Sequence, residues 1–200
     1  LAEVYPSTVD KKTNEREEDV RLCNYKEVYD NETVNNELDF MEATASPSKI
    51  EKFSLKSGDI LLTKDSESWD DIGVPAFVPE DLPGVLCGYH LFVVRPDPNK
   101  VHPYFLYWAL ASRLLAFQFE RDANGVTRYG LTTHDARRAL VPLPPREKQE
   151  KLATNLEKQL EEIEALRESK RELLDLLDER RTAILTHAVT GNLWQKSETK

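Results

Sequence analysis

Cysteine, histidine and glycine are scarce in this chain of 200 residues, which has two, four and seven of them. Cys23 and Cys87 have no second Cys or His at metal-ligand spacing. That sets aside a zinc module and leaves two free thiols of the kind a reducing cytoplasm keeps, rather than a disulfide. The histidines (His90, His102, His134 and His187) are scattered, so no pair converges with carboxylates on a metal. The glycines build no phosphate-cradling loop and no cofactor turn. No Asn-Pro-Pro-aromatic or Asp-Pro-Pro-Tyr stretch, the kind adenine methyltransferases use, is present. The chain is therefore expected to bind no cofactor or metal and to catalyse nothing itself. No apolar run reaches the length of a membrane span, and no secretory signal opens the chain. Basic residues are outnumbered 27 to 36, for a net charge of -9. That balance lowers a DNA-binding reading without excluding it, since a local basic face can sit on an acidic chain.

What remains is a mixed chain, 40 % hydrophobic and 32 % charged. It can bury a core and must also carry much solvated surface. A strand-like piece lies at Val20–Tyr25, and residues 37–54 are helix-prone with a turn at Ser46-Pro47. The turn Ser57-Gly58-Asp59 precedes Ile60-Leu61-Leu62, a short buried strand. Residues 73–80 and 89–96 read as two more strands, aromatic and β-branched between Pro and Gly. Residues 102–119 read as one amphipathic helix with Pro103 in its first turn. Residues 120–141 read as a loop with a helical turn near Thr133–Ala139. The expected fold is α+β with local hairpins and no repeating βαβ unit. It divides into a head (1–141), a proline hinge (142–145), a long helix (146–190) and a tail (191–200).

The hinge, Val141-Pro142-Leu143-Pro144-Pro145, is stiff and extended because proline fixes its own φ and keeps its predecessor out of helix. After it, no Gly or Pro appears until Gly191, the expected helix stop. Leu152, Leu156, Ile163, Leu166, Leu173, Leu177 and Ile184 recur at steps of three, four and seven, with Leu156, Ile163, Leu177 and Ile184 at a, and Leu152, Leu166 and Leu173 at d. Gln149, Gln159, Lys170, Arg180 and His187 are the polar exceptions on that seam. Glu147 near the start and Arg180, Arg181 and His187 near the end suit the helix dipole. A helix this long cannot bury its own stripe. Either it folds back on the head, or it pairs with a second helix as a coiled coil, and polar seam residues then fix the register.

Residues 1–145 carry 16 Lys/Arg against 24 Asp/Glu, and base outweighs acid only between Arg113 and Arg138. Glu168-Ser169-Lys170 has the letters of part of a nuclease motif, but it sits mid-helix with no acidic strand before it, so it reads as a solvated face. Three stretches are more polar than plain turns require: 24–31, 63–73 and 123–130. Asn, Arg, Lys, Ser, Thr and acids on such loops are the residue types that read base edges. Each stretch can equally be a surface turn without a ligand.

The segments LKSGDILLTKDSESWDDIGVPAFVPE, GYHLFVVRP, PYFLYWALAS, ANGVTRYGL and VPLPPREKQEKL, with the tail HAVTGNL, resemble the specificity subunit of type I restriction–modification systems. The resemblance runs from about Val20 to Leu193 and implies a target-recognition domain followed by a long helix. In that family two such units stand in tandem. Their helices pair antiparallel, and the recognition domains reach two half-sites on double-stranded DNA. The helix pair spaces the domains and docks two methyltransferase subunits, which restriction subunits join; the methyl donor and ATP belong to those partners. The resemblance marks Asn24, Tyr25, Lys64, Asp65, Ser66, Glu67, Tyr89, His90, Asn124, Thr127, Arg128 and Tyr129 as candidates to face bases or phosphates. Lys64, Arg128 and Asn124 stand first among them. Asp65 and His90 could instead hold the fold through internal bonds.

This chain departs from the family pattern in carrying a single unit that opens on Leu1 inside the recognition domain. It is expected to be either the C-terminal half of a longer subunit or a half-subunit that pairs with another copy. Two copies on a two-fold axis would read an interrupted palindrome. The competing expectation is a coiled-coil adaptor whose head binds protein and reads no DNA.

Overall fold

The computed structural model describes residues 1–190. The expected stop at Gly191 and the tail 191–200 lie outside the described residues. The order of elements is β1 (Ala2–Pro6), β2 (Glu18–Cys23), α1 (Tyr25–Tyr29), β3 (Met41–Ala45), α2 (Pro47–Phe53), β4 (Ser54–Leu55), β5 (Ile60–Thr63), β6 (Asp65–Ser66), β7 (Pro75–Phe77), β8 (Leu82–Cys87) and β9 (Leu91–Pro96). Then follow α3 (Pro103–Ala111), α4 (Arg113–Asp122), β10 (Asn124–Gly125), β11 (Tyr129–Gly130), α5 (Thr133–Arg138) and α6 (Arg146–Val189). This is the α+β class with a long helix after it.

Strands β1-β9-β5-β7 form one sheet, β3-β2-β8-β4 a second, and β10-β11-β6 a small ribbon. The first sheet is buried on both faces. Leu61, Ala76, Leu91 and Val93 point into one core shared with Val20, Leu22, Val85 and Leu86 of the second sheet. Ile60, Leu62, Phe77, Phe92 and Val94 point the other way, onto Phe105, Leu106, Leu115 and Phe119 of α3 and α4. Since successive side chains alternate faces, a strand apolar on both sides reads as an unbroken run, as Ile60-Leu61-Leu62 and Leu91–Val94 do.

Several expectations need correction. Residues 37–54 are not one helix-prone stretch: Met41–Ala45 is a strand paired antiparallel with β2. The polar start of the chain contributes β1, an edge strand on β9. The strand pairings are not all local hairpins, since β2 runs parallel to the distant β8. The strand expected at 73–80 is confined to Pro75–Phe77, and β8 was not anticipated. Residues 102–119 make two helices, broken at Ser112, whose extended backbone (φ -72°, ψ 149°) starts α4. Within 120–141 the loop holds the strands β10 and β11 as well as a helical turn.

Two polar devices lock the head. Asp59 is 1 % exposed and takes both ends of the Arg95 fork at 2.7 Å. That bond raises the already high Arg95 pKa further. Gln149 is the second. Far from being an open seam position, it is 2 % exposed; its amide donates to Pro144 O and its oxygen accepts from His102 N, both at 2.8 Å. Three segments meet on this one side chain: the proline hinge, the start of α3 and the start of α6. Ala153, one turn on, is buried in the core against α3 and α4.

Residues Leu1–Ala153 form one compact unit, and a second begins at Thr154. The 44-residue α6 is about 66 Å long at 1.5 Å per residue. Every residue from Glu161 to Thr190 is exposed. Of the seam, Leu156 is half-buried, while Leu152, Ile163, Leu166, Leu173, Leu177 and Ile184 are exposed by between 44 % and 56 %. Glu168 is exposed and ion-paired to Arg171 at 3.3 Å, as a solvated face requires. Among the described residues, no helix is long and apolar enough to cross a membrane.

Candidate functional site

The three polar stretches meet. Strand β6 pairs with β11, Ser66 opposite Tyr129 and Asp65 opposite Gly130, and β11 pairs with β10. The backbone stitches the neighbours to them: Leu131 N donates to Lys64 O at 2.9 Å, and Lys64 N to His90 O at 3.0 Å. The ribbon turns sharply at Gly125, whose φ is +152°. A Cβ there would run into the Arg128 carbonyl, so the turn requires glycine. From the stretch 24–31, α1 brings up Tyr25. The helix is short, and Asn24 starts it by donating its backbone N–H to the Glu27 carboxylate at 2.7 Å.

Together these segments enclose a cleft of about 760 Å³. Tyr25, Asp65, Ser66, Glu67, His90, Thr127 and Arg128 line it, with Ser68 and Asp71. The other five candidates lie elsewhere or are engaged locally. The Asn24 side chain donates to Leu22 O at 3.4 Å. Lys64 Nζ donates to Tyr89 O at 3.0 Å and sits 4.3 Å from the Tyr89 ring centre. Tyr89 is exposed and meets the His90 ring edge-on at 5.0 Å. Asn124 is exposed, with its amide on Asp122 O at 2.7 Å. Tyr129 packs half-buried against the helix-side core. Ser68 and Asp71 were not singled out from the sequence, although both fall in the polar stretch 63–73.

The electrostatics follow from hydrogen-bond bookkeeping. His90 Nδ1 lies 2.7 Å from Asp65 Oδ2 and 3.5 Å from Arg128 Nη2. A carboxylate only accepts, so Nδ1 carries the proton and donates a hydrogen bond to Asp65. The guanidinium then faces an N–H and has no acceptor there. Asp65 and His90 thus do bond each other, the internal arrangement that the sequence left open. Across the cleft Tyr29 donates to Asp71 at 2.7 Å, which lifts its pKa to about 12. Its ring stacks on Tyr25 at 5.4 Å between centroids. Burial, then the Asp71 charge, pushes Tyr25 up as well. The cleft therefore offers carboxylate and hydroxyl acceptors around one under-used guanidinium. That set matches the donors and acceptors of base edges. Among the described residues, no group of three or more His, Cys, Asp or Glu is disposed to hold a metal. Cys23 and Cys87 are free, buried and opposite each other on β2 and β8.

A head of two sheets and a helical layer gathers its polar loops at one cleft, and a long helix follows it in sequence. Residues 3–174 match the family model of the type I restriction modification DNA specificity domain, and the chain belongs to that family. A Methanocaldococcus jannaschii protein, described as a candidate specificity subunit of the type I restriction enzyme MjaX, is 30 % identical over 105 residues, 52 % of this chain and 24 % of its own. Among solved structures, the HsdS subunit from Thermoanaerobacter tengcongensis is similar over 78 % of this chain and 39 % of its own, at 22 % identity and a TM-score of 0.60. A chain from a study of complex assembly and conformational transition in a type I R-M system is similar over 94 % of this chain and 43 % of its own, at 18 % identity and a TM-score of 0.67. These structural likenesses concern the fold. The chain spans about a quarter of the length of the curated relative and about two-fifths of the solved ones.

Proposed function

We propose that this chain reads one half of a bipartite target in double-stranded DNA for a type I restriction–modification complex. Residues 1–141 are the reading head, and the cleft between α1, the β6–β11 ribbon and His90 faces the bases. The hinge 142–145 leads into a spacer helix, 146–190, whose apolar seam pairs with a second helix. That helix comes from another unit of the same subunit or from a second copy of this chain. The pair also docks methyltransferase subunits, which restriction subunits join. Methylation and cleavage are the partners' chemistry; this chain supplies the address. The reading puts it in the cytoplasm, beside the DNA.

The observation that supports this best is the convergence of three polar stretches, far apart in sequence, on one cleft in a member of a DNA-specificity family. An overall acidic head argues that readout rests on base edges more than on phosphate. The test is a gel shift with the purified methyltransferase partner, with and without this chain. Sequence-selective binding should appear only when the chain is present. The same selectivity without it would leave the chain an adaptor with a protein-binding head. Arg128→Ala should cost about 1–3 kcal/mol at one base position if the guanidinium grips a guanine. Equal weakening on every sequence would mark a phosphate contact instead.

A further inference from the structure

Trp69 lies in the loop between the cleft-lining residues Ser68 and Asp71, at the edge of the cleft rather than in its lining. It is 52 % exposed. Among the described residues no ring contact, hydrogen bond or ion pair holds its indole. The loop that carries it, by contrast, is tied down. Ser68 N donates to Ser66 Oγ at 3.1 Å, the Ser68 hydroxyl donates to Asp70, and Asp71 accepts from Tyr29 at 2.7 Å. Other large side chains are exposed on the same surroundings: Tyr29 on α1, Tyr89 beside His90, and Val126, 89 % exposed, at the ribbon tip before Thr127. A half-exposed indole on a loop held by these hydrogen bonds presents a flat apolar surface to solvent in a fixed place. A nucleobase has two π-faces and a polar edge; the cleft supplies carboxylates and a guanidinium for the edge, while its lining ring, Tyr25, already stacks on Tyr29.

We propose that Trp69 stacks on a base of the bound duplex, entering at a base step beside the edges that the cleft reads. The ring brings a large flat area at the cost of only two side-chain torsions, and stacking tolerates any base, so Trp69 adds affinity and local unstacking where the polar side chains add sequence. This inference rests on the DNA-reading proposal. It predicts a deformed step next to the half-site rather than at it.

The experiment begins with a duplex selected from a random pool by the wild-type chain assembled with its methyltransferase partner. The same assembly is then made with Trp69→Ala and with Trp69→Phe. Trp69→Ala should bind the selected duplex about 5- to 150-fold more weakly, the range of one base–aromatic stack. Trp69→Phe should recover most of that loss. 2-Aminopurine placed through the duplex should brighten at one step with wild type and not with Trp69→Ala. Unchanged thermal melting of Trp69→Ala, expected for so exposed a side chain, excludes a folding defect as the cause. Equal affinity for Trp69→Ala and wild type, or no brightened step anywhere, overturns the stacking role while leaving DNA reading intact. A pool that yields no selected duplex at all overturns DNA reading itself, and the stacking role with it.

Discussion

Replacing Gln149 by Leu keeps the size of a side chain that is 2 % exposed and deletes both of its hydrogen bonds. The His102 N–H and the Pro144 carbonyl, each bonded at 2.8 Å in the native protein, lose their partner together. A buried polar group left without a partner costs about 1–3 kcal/mol. Both bonds are only partly buried, so some rehydration is open to them and the lower half of that range applies. The expected loss is about 2–4 kcal/mol for the head, a large share of the stability of a domain this size. Urea unfolding followed by head fluorescence measures it, with Lys158→Ala on the exposed helix face as a control expected within about 0.5 kcal/mol of wild type. Retained polar bonds are the whole basis of the figure. A Gln149→Leu head as stable as wild type would therefore refute the claim that this residue joins hinge, α3 and α6.

Asp59→Ala should cost about 3 kcal/mol by the same assay, because it strips the Arg95 guanidinium of its buried carboxylate; a loss under about 1 kcal/mol would make the pair incidental. Tyr29, held protonated by Asp71, should ionise at about 12 rather than at 10 in an ultraviolet titration, and Asp71→Asn should return it toward 10. A raised pKa favours the neutral phenol, so this bond stabilises the native state fully below pH 10 and is lost as pH climbs through about 12. Leu166→Asp with Leu173→Asp should abolish helix pairing in light scattering yet leave head melting unchanged; loss of the head fold would point to a helix that packs on its own domain.

How far the sequence could be read depended on where each element finds its partner. Ile60-Leu61-Leu62 and Leu91–Val94 were visible because burial on both faces makes them apolar without interruption. Met41–Ala45 was not, since Met, Glu and Ala favour helix and only pairing with β2 overrides them. Strand β8 hid behind Pro83-Gly84, which normally argue against an interior strand; here both are exposed at an irregular stretch opposite β4. The polar stretches were recognisable by composition, but their meeting was not: Asp65-Ser66 becomes a strand only because Tyr129-Gly130 lies beside it. Residue type also could not tell a free side chain from an engaged one. Asn24, Lys64 and Asn124 all bond to nearby backbone carbonyls, whereas the neglected Asp71 faces the cleft. Gln149 matched the heptad phase and was buried against the head, a distinction that periodicity does not contain.

The first sheet has its last-synthesised strand in an interior position. Strand β9 sits between β1 and β5, with Pro6 opposite Phe92 and Ile60 opposite Val94. On the ribosome β1 therefore waits for a partner while some ninety further residues are made, about 5–20 s at ordinary elongation rates. Through that interval Ile60–Thr63 can zip only to Pro75–Phe77. The first sheet therefore cannot be completed stepwise from its start: β1 joins the β5–β7 pair only once Leu91–Pro96 is made and slots between them.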